Sequence, residues 1–427
     1  MIVDFPYRGY ENIAPAEIPD ANLMGVYAPR TLDDVDPEDV VARGIAEPIG
    51  APRLREAVRR NGRVLILVDD ATRATPVALV LRHVIEELEA AGVPDERIAV
   101  LTALGTHRRM TERELRDKLG AVRARFIVYQ HDWLHQATLR DFGKTSDGTR
   151  VTANRLLAEV DFTLGIGSIA PHRIKGFSGG AKIAFPGVAG REIQDRNQWQ
   201  AAQHRSEDVM GIAENPMRRR IEEAARLVGL HYIVNTVADG AGRLAGCFAG
   251  DVVLAHRAGC RVSQEINEVV LPTRAGIVLT DAHPADRDLW QSAKGVYSGT
   301  MAVRDGGTLI VVASNPEGVA ENHPTMLEVG YRPFRELARM VDEGRVDDLV
   351  GLSVLADLAQ VMDRAECILV SPGVSRDSAV RLGFRPAATV QNALDQARER
   401  HGRHESIAVL RRGGHVLPRV AGERYDA

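Results

Sequence analysis

The amino-acid sequence predicts an α/β protein with two domains, each built on a mostly parallel sheet. Three observations support this fold class. The chain has 427 residues, which is too long for one ordinary core. Short apolar runs recur along it, of the kind that forms strands buried on both faces. Segments with helical periodicity separate these runs, and this alternation is typical of doubly wound sheets.

The first domain is expected to span residues 1–271. Residues 1–50 are rich in Pro and Asp and predict an irregular lead-in with one edge strand. Pro76 suits the first turn of a helix that ends at Gly92, and Thr111 with Glu114 forms a capping box. The remaining predicted elements are strands at 64–68, 98–101, 126–129, 162–167 and 232–234, a helix-like segment at 193–200 and a helix at 217–227.

A linker near residues 271–273 leads to a second domain, residues 272–427, whose last residues can pack back on the first. Its predicted strands and helices alternate in the same way, with strands at 277–279, 308–312, 367–370 and 407–410 and helices at 288–294 and 390–400.

Composition and charge exclude several classes of protein. The net charge of −4 gives no reason to expect nucleic acid as a partner. No apolar run approaches the length of a membrane span, and the N-terminus lacks the pattern of a signal peptide. Three scattered cysteines indicate neither a disulfide framework nor a metal knuckle. These features predict a cytoplasmic α/β protein with reduced cysteines.

A glycine-rich stretch at residues 171–190 is the strongest local signal. Glycines at this density let the backbone approach a ligand and direct N–H groups at it, which is a common way to hold phosphate. The alternative is a tight surface turn carrying a solvated lysine. The candidate cofactor contacts in this stretch are Ser178, Gly179, Gly180 and Lys182.

Titratable side chains follow three predicted strands. Asp70, Thr72 and Arg73 come after one strand, His107 after the next and His172 after a third. Parallel strands deliver such groups to one edge of the sheet, so we expect these side chains to meet. Each has a plainer alternative, because Arg73 could pair with a neighbouring aspartate and His107 could be a capping or exposed residue.

Several motifs occur together and in order along nearly the whole chain. They are Asp-x-Thr-Arg-x-x-Pro (70–76), Leu-Gly-Thr-His (104–107), His-x-x-x-Gly-x-Ser-Gly-Gly-x-Lys (172–182), the following Pro-Gly, and Gln-x-x-Lys (291–294). This set resembles the lactate racemase family that uses a nickel-pincer nucleotide. The resemblance implies an active site in the cleft between the two domains. It also implies a nicotinate-derived mononucleotide that is joined to Lys182 through a thioamide and carries nickel on its thio groups.

The resemblance also implies roles for other residues. His107 and His172 would be the paired acid/base groups, and Arg73 and Lys294 would bind the substrate carboxylate. Gln291 would be a further contact, while Asp70 and Thr72 would support the first loop. Trp290 is expected either in packing or as a wall of the substrate pocket. Cofactor-loading proteins would be partners.

The chain departs from the family at the nickel ligand. The family places an Asn-His pair about a dozen residues after the Pro-Gly turn, and here the register gives Asn197-Gln198. An amide oxygen is a poor donor for nickel beside imidazole. His204 could substitute only if the backbone were rearranged. Nickel held weakly with Gln198, a different metal, and a nucleotide without metal all remain open.

The sequence therefore favours racemisation or epimerisation of a small 2-hydroxy acid. The α C–H of such an acid is very weakly acidic, so the resemblance implies hydride transfer to the cofactor while one histidine takes the hydroxyl proton. Two alternatives are proton-transfer chemistry such as dehydration of a hydroxy acid, and a nucleotide- or anion-binding protein that has lost turnover.

Overall fold

The computed structural model describes residues 1–7 and 9–425. Strands of the first part of the chain are β1 (Ile2–Val3), β2 (Ala16–Glu17), β3 (Leu23–Tyr27), β4 (Val64–Asp69), β5 (Ile98–Ala103), β6 (Ile127–Gln130), β7 (Leu139–Lys144), β8 (Arg150–Asn154), β9 (Phe162–Ser168), β10 (Pro171–His172), β11 (Gly176–Phe177), β12 (Tyr232–Ala238) and β13 (Leu244–Gly250). Its helices are α1 (Pro37–Ala46), α2 (Leu54–Ala57), α3 (Val77–Ala90), α4 (Glu112–Leu119), α5 (Val122–Arg125), α6 (Arg191–Ala201), α7 (Pro216–Leu227) and α8 (Leu254–Asn267).

The remaining elements alternate in the same way. The strands are β14 (Glu268–Leu271), β15 (Ala275–Asp281), β16 (Val303–Val312), β17 (Glu366–Val370), β18 (Arg385–Pro386), β19 (Ile407–Leu410) and β20 (Leu417–Val420). The helices are α9 (Leu289–Thr300), α10 (Thr325–Val329), α11 (Phe334–Asp342), α12 (Leu349–Met362), α13 (Arg376–Arg381) and α14 (Val390–His401).

Two six-stranded sheets organise the molecule, which confirms the predicted α/β fold class. The first has the order β13-β12-β9-β4-β5-β6 and is parallel except for β13. The second has the order β18-β17-β16-β15-β19-β3 and is parallel throughout. We call the parts built on these sheets the first and second lobes.

Both sheets are covered by apolar side chains on each face. Along β4, Val64, Ile66 and Val68 pack on one side of the first sheet, whereas Leu65 and Leu67 pack on the other. This division follows from the two-residue period of a strand. The strands therefore read as continuous apolar runs in the sequence, as expected for a buried parallel sheet.

The first fifty residues contain more structure than the sequence predicted. The expected edge strand is β3, and it lies at the edge of the second sheet, beside β19. Helix α1 was not predicted, although Asp36 caps its first turn and Pro37 occupies the first helical position. At the other end of the chain, β20 pairs with β14. The domain boundary at residue 271 stays a prediction.

Within the described part of the chain, no helix combines the length and the apolar character needed to cross a bilayer.

Candidate active site

The loops that carry the predicted site residues meet at one edge of the first sheet. Strands β9, β4 and β5 are neighbours, and they run parallel. Asp70, His107 and His172 follow these strands, and they line a single cavity together with Arg73 and Lys182. Helix α9 of the second lobe closes the other side with Trp290, Gln291 and Lys294. The cavity therefore lies between the lobes and contains side chains from both.

His107 is held by a carboxylate. Its Nδ1 lies 2.5 Å from Asp70 Oδ2, and the other Asp70 oxygen accepts hydrogen bonds from the backbone N–H and the hydroxyl of Thr72. Burial alone would raise the pKa of Asp70, but His107 and Arg73 hold it well below its usual range. An ionised Asp70 keeps the proton of His107 on Nδ1, so Nε2 presents a lone pair to the cavity.

The second histidine has the opposite arrangement. His172 Nδ1 accepts a hydrogen bond from the backbone N–H of Ile174 at 3.1 Å, which places the proton of the neutral ring on Nε2. Burial, followed by the charges of Lys182, Lys294 and Arg73, lowers the pKa of His172 well below its ordinary value. His172 is therefore a neutral ring that offers an N–H group, whereas His107 offers a lone pair.

A chain of contacts joins the second lobe to His107. The Gln291 side-chain nitrogen lies 3.3 Å from His107 Nε2, and the Gln291 oxygen accepts a hydrogen bond from Lys294 Nζ at 2.9 Å. The Trp290 ring meets His107 edge-on at 5.0 Å. Asp288 caps α9 and so fixes the turn that carries Trp290 and Gln291. Trp290 thus forms a wall of the cavity, one of its two predicted roles.

Arg73 and Lys294 provide the positive charge expected for a carboxylate partner. Arg73 donates to Thr72 Oγ1 at 2.6 Å and forms no salt bridge with any described residue, so the alternative pairing with Asp69 or Asp70 is not present. Lys294 also forms no salt bridge with any described residue. Burial and the charge of Arg73 lower the pKa of Lys294 well below its ordinary value. An anion between these two side chains would relieve that repulsion.

Lys182 lies in a short 3-10 turn, Gly180–Ile183, on the floor of the cavity. Burial, then the charges of Arg73 and Lys294, lowers the pKa of its ammonium group well below the ordinary value. A lowered pKa increases the fraction of neutral amine, the form that acts as a nucleophile. This environment suits a lysine that becomes covalently attached to an electrophilic group.

Two amides of the glycine-rich loop, those of Ser178 and Gly180, are bonded within the protein and are not available to a ligand. The Gly180 N–H donates to Asn235 Oδ1 at 2.6 Å, and the Ser178 N–H donates to the Ala170 carbonyl at 2.8 Å. The Ser178 hydroxyl donates to the Ser168 carbonyl at 2.7 Å. Gly180 is needed for packing, because a Cβ there would lie 2.8 Å from the His256 ring. Ser178 and Gly179 line the cavity, whereas Gly180 lies behind it.

Sequence reasoning missed two buried charged residues in the same loop. Lys175 lines the cavity, and its side chain is enclosed by protein. Arg173 forms a salt bridge of 2.7 Å with Asp357 of α12, which joins the two lobes. Burial raises the pKa of Asp357 to about 6, although Arg173 opposes the shift. No local pattern marks either residue as buried, because the groups that enclose them come from distant parts of the chain.

The two residues predicted near the metal, Gln198 and His204, differ in their position relative to the cavity. Gln198 lies in α6 and lines the cavity beside Asn197 and Gln194. His204 follows the end of α6, is exposed, and does not line the cavity, so it would still need a rearranged backbone to replace the missing donor, and this stays a prediction. Among residues 1–7 and 9–425, no group of three or more His, Cys, Asp or Glu side chains could hold a metal ion.

Comparison with known proteins places the chain in a family. Residues 10–208 match the family model for the lactate racemase N-terminal domain, and residues 264–417 match the model for the lactate racemase C-terminal domain. The chain is 28% identical over 439 residues to a lactate racemase of Thermoanaerobacterium thermosaccharolyticum, with 98% of this chain and 99% of the relative covered. It is 26% identical over 425 residues to a lactate racemase of Lactiplantibacillus plantarum, with the same coverage.

Solved structures show the same fold. The lactate racemase apoprotein from T. thermosaccharolyticum superposes with a TM-score of 0.87 at 26% identity, covering 98% of this chain and 100% of that one. A crystal structure of a protein from Thermotoga maritima gives a TM-score of 0.72 at 21% identity, covering 91% of this chain and 100% of that one. The second likeness concerns the fold alone.

Proposed function

Because this chain belongs to the lactate racemase family, we propose that it interconverts the enantiomers of a small 2-hydroxy acid. The observation that carries the proposal is the arrangement around the cavity. His107, held by Asp70, faces the same space as two cations that suit a carboxylate, Arg73 and Lys294. A 2-hydroxy acid has the matching groups, a carboxylate beside a hydroxyl.

The side chains suggest how such a substrate would be oriented. Arg73 offers a planar, bidentate partner for the carboxylate, and Lys294, held by Gln291, adds a second positive charge. With the carboxylate anchored there, His107 Nε2 takes the hydroxyl proton as general base. His172 completes the acid/base pair from its own side of the cavity: it must be protonated to give the product hydroxyl its proton, and in the reverse direction the neutral ring is the base. General acid–base catalysis of this kind contributes on the order of 10²–10⁴ in rate.

The cavity also fits a nucleotide cofactor attached to Lys182. Besides Lys182, two lysines without salt bridges to described residues line it, Lys175 and Lys294, and their amino groups can pair with an anionic group. When bound, a nicotinate-derived nucleotide would supply an electron-poor ring that accepts a hydride and returns it. Side chains cannot do this, so the residues of the chain are left to bind, orient and move protons.

Nickel fits less well than the nucleotide. The family's histidine position holds Gln198, whose amide is a weak donor for nickel. No described cluster of metal-ligating side chains compensates for it. We therefore assign no step of the reaction to a protein-bound metal.

The test uses protein produced together with the cofactor-loading proteins. We expect a covalent mass adduct on Lys182 and conversion of either pure enantiomer of lactate, or of a related 2-hydroxy acid, into a racemic mixture by chiral chromatography. Lys182→Ala should lose both the adduct and activity, whereas Lys294→Ala should keep the adduct and lose activity. Adduct-bearing protein that releases an unsaturated acid would indicate dehydration. Adduct-bearing protein without turnover of any 2-hydroxy acid would indicate a binding protein.

A further inference from the structure

Lys175 is a buried lysine for which the protein provides no partner. Its exposed fraction is 2%, and no hydrogen-bond acceptor of the described chain lies within reach of its Nζ. Isolated ammonium groups are costly to bury, and the usual remedy is a paired anion. Because Lys175 lines the cavity, a bound anionic ligand could supply the missing partner.

The backbone around Lys175 is fixed, so the side chain cannot easily swing out to solvent. Arg218, fully buried, donates hydrogen bonds to the carbonyls of Lys175, Phe177 and Gly179. Gly176 has a φ of +72°, and a Cβ at this position would lie 1.8 Å from the Ile212 carbonyl oxygen. The loop is therefore built to hold Lys175 inside the protein.

The carboxylates that line the cavity already have partners. Asp69 pairs with Lys118 at 2.7 Å, Asp70 with His107 and Asp357 with Arg173. None of them forms a salt bridge with Lys175, and the charges that act most strongly on it are those of Arg218 and Arg220. No carboxylate among the described residues therefore pairs with Lys175. The cavity can accept an anion there in addition to the substrate carboxylate that is proposed to bind between Arg73 and Lys294.

Near the glycine-rich loop, an anion would need a side chain to supply some of its hydrogen-bond donors. The amides of Ser178 and Gly180 are bonded within the protein and are not offered to a ligand. A phosphate in this part of the cavity would therefore have fewer of the backbone donors that usually hold it. A lysine ammonium, with its three N–H donors, can replace them.

The geometry points to Lys175 as the binding group for the phosphate of a mononucleotide. Naming the phosphate as that of a nucleotide rests on the proposed function, whereas the anion site itself does not. Arg73 and Lys294 then serve the substrate carboxylate, and Lys175 serves the cofactor.

The experiment compares ligands that differ only in the phosphate. Calorimetry on the apoprotein measures the affinity for nicotinic acid mononucleotide, for its riboside without phosphate, and for inorganic phosphate. We expect Lys175→Met to weaken mononucleotide binding by about ten- to a hundredfold, the range of a charge-assisted hydrogen bond, and to leave the riboside unchanged. Lys144→Met, which alters an exposed lysine of β7, is the matched control and should bind all ligands as wild type does.

Thermal unfolding provides a second measurement. Since Lys175→Met removes a buried amino group that has no hydrogen-bond partner in the described chain, the apoprotein variant should melt no lower than wild type, and phosphate should no longer raise its melting temperature. A lower melting temperature together with equal loss of mononucleotide and riboside binding would mean a structural role and overturn the proposal.

The remaining outcomes separate this proposal from the proposed function. Unchanged mononucleotide affinity in Lys175→Met overturns the phosphate assignment and leaves the racemase proposal standing. Lys175-dependent binding of inorganic phosphate without binding of the mononucleotide supports the anion site and counts against the cofactor. A wild-type protein that binds none of the phosphate compounds would also overturn the proposal.

Discussion

Replacing Asp70 by asparagine tests whether the carboxylate sets the proton position on His107. The Asp70 oxygen that faces away from His107 accepts two hydrogen bonds from Thr72. In Asp70→Asn the amide oxygen should keep these bonds, because turning the amide over would lose both, at about 1 kcal/mol or more each. The amide nitrogen must then face His107 Nδ1. A donor at this position moves the histidine proton to Nε2 and removes the general base.

The expected cost follows from the loss of that base. General base catalysis is worth on the order of 10²–10⁴ in rate, or about 3–5 kcal/mol of transition-state stabilisation. The assay measures initial racemisation rates from each enantiomer on protein whose covalent adduct has been verified by mass. Since two enantiomers have equal free energy, kcat/KM must fall by the same factor in both directions.

A distant histidine–carboxylate pair provides the control. His83 Nε2 lies 2.9 Å from Glu38 Oε2 on the surface of the first lobe, away from the cavity. Glu38→Gln should therefore racemise as wild type does. An Asp70→Asn protein that retains its adduct and stays within about tenfold of the wild-type rate would refute the assigned role of Asp70, because the loss would be smaller than general base catalysis predicts.

Two further predictions concern metal binding and acid stability. Gln198→His should increase the nickel retained by loaded protein after desalting, measured by elemental analysis, because it restores an imidazole in the cavity wall; Gln203→His, at an exposed position, should not. An unchanged nickel content would remove position 198 from the metal site. Burial lowers the pKa of His131 to about 4, while its Nε2 donates to the Ala189 carbonyl at 2.9 Å. As the pH falls from about 6.5 towards 4, the unfolded state binds a proton that the folded state refuses, so stability is lost at up to about 1.4 kcal/mol per pH unit. His131→Gln should reduce this loss by up to about 3 kcal/mol across the window in urea unfolding, and equal acid sensitivity in the two proteins would contradict the assignment.

The main sheets and the convergence of the site could be predicted from the sequence. Strands such as β4 and β15 are apolar throughout because both faces are covered, and this pattern is visible without a structure. Loops that follow neighbouring parallel strands end at one edge, so the meeting of Asp70, His107 and His172 followed from the order of the strands.

Elements without a periodic pattern could not be found in this way. Helix α12 is buried on nearly all sides and therefore lacks the amphipathic stripe that identifies a surface helix. The hydrogen bonds of the glycine-rich loop could not be predicted for a related reason. The amide of Gly180 is bonded to Asn235, and Lys175 is enclosed by a loop that Arg218 fixes from 43 residues further along. Such contacts depend on the complete fold, and no spacing within residues 171–190 encodes them.

The two histidines show the same limit most clearly. In the sequence His107 and His172 are equivalent candidates, but Asp70 keeps the proton of one on Nδ1, while the Ile174 amide keeps the proton of the other on Nε2. For His172 to act as a base at Nε2, it must give up the bond from Ile174, which is worth about 1 kcal/mol. That cost is small beside the contribution expected from acid–base catalysis. Both histidines can therefore act as bases, but His172 does so at a higher free-energy cost than His107. The inequality cannot alter the ratio of kcat/KM between the directions, because the enantiomers have equal free energy. The difference between the two histidines can appear only in the separate values of kcat and KM, and we expect it in the direction that uses His172 as the base.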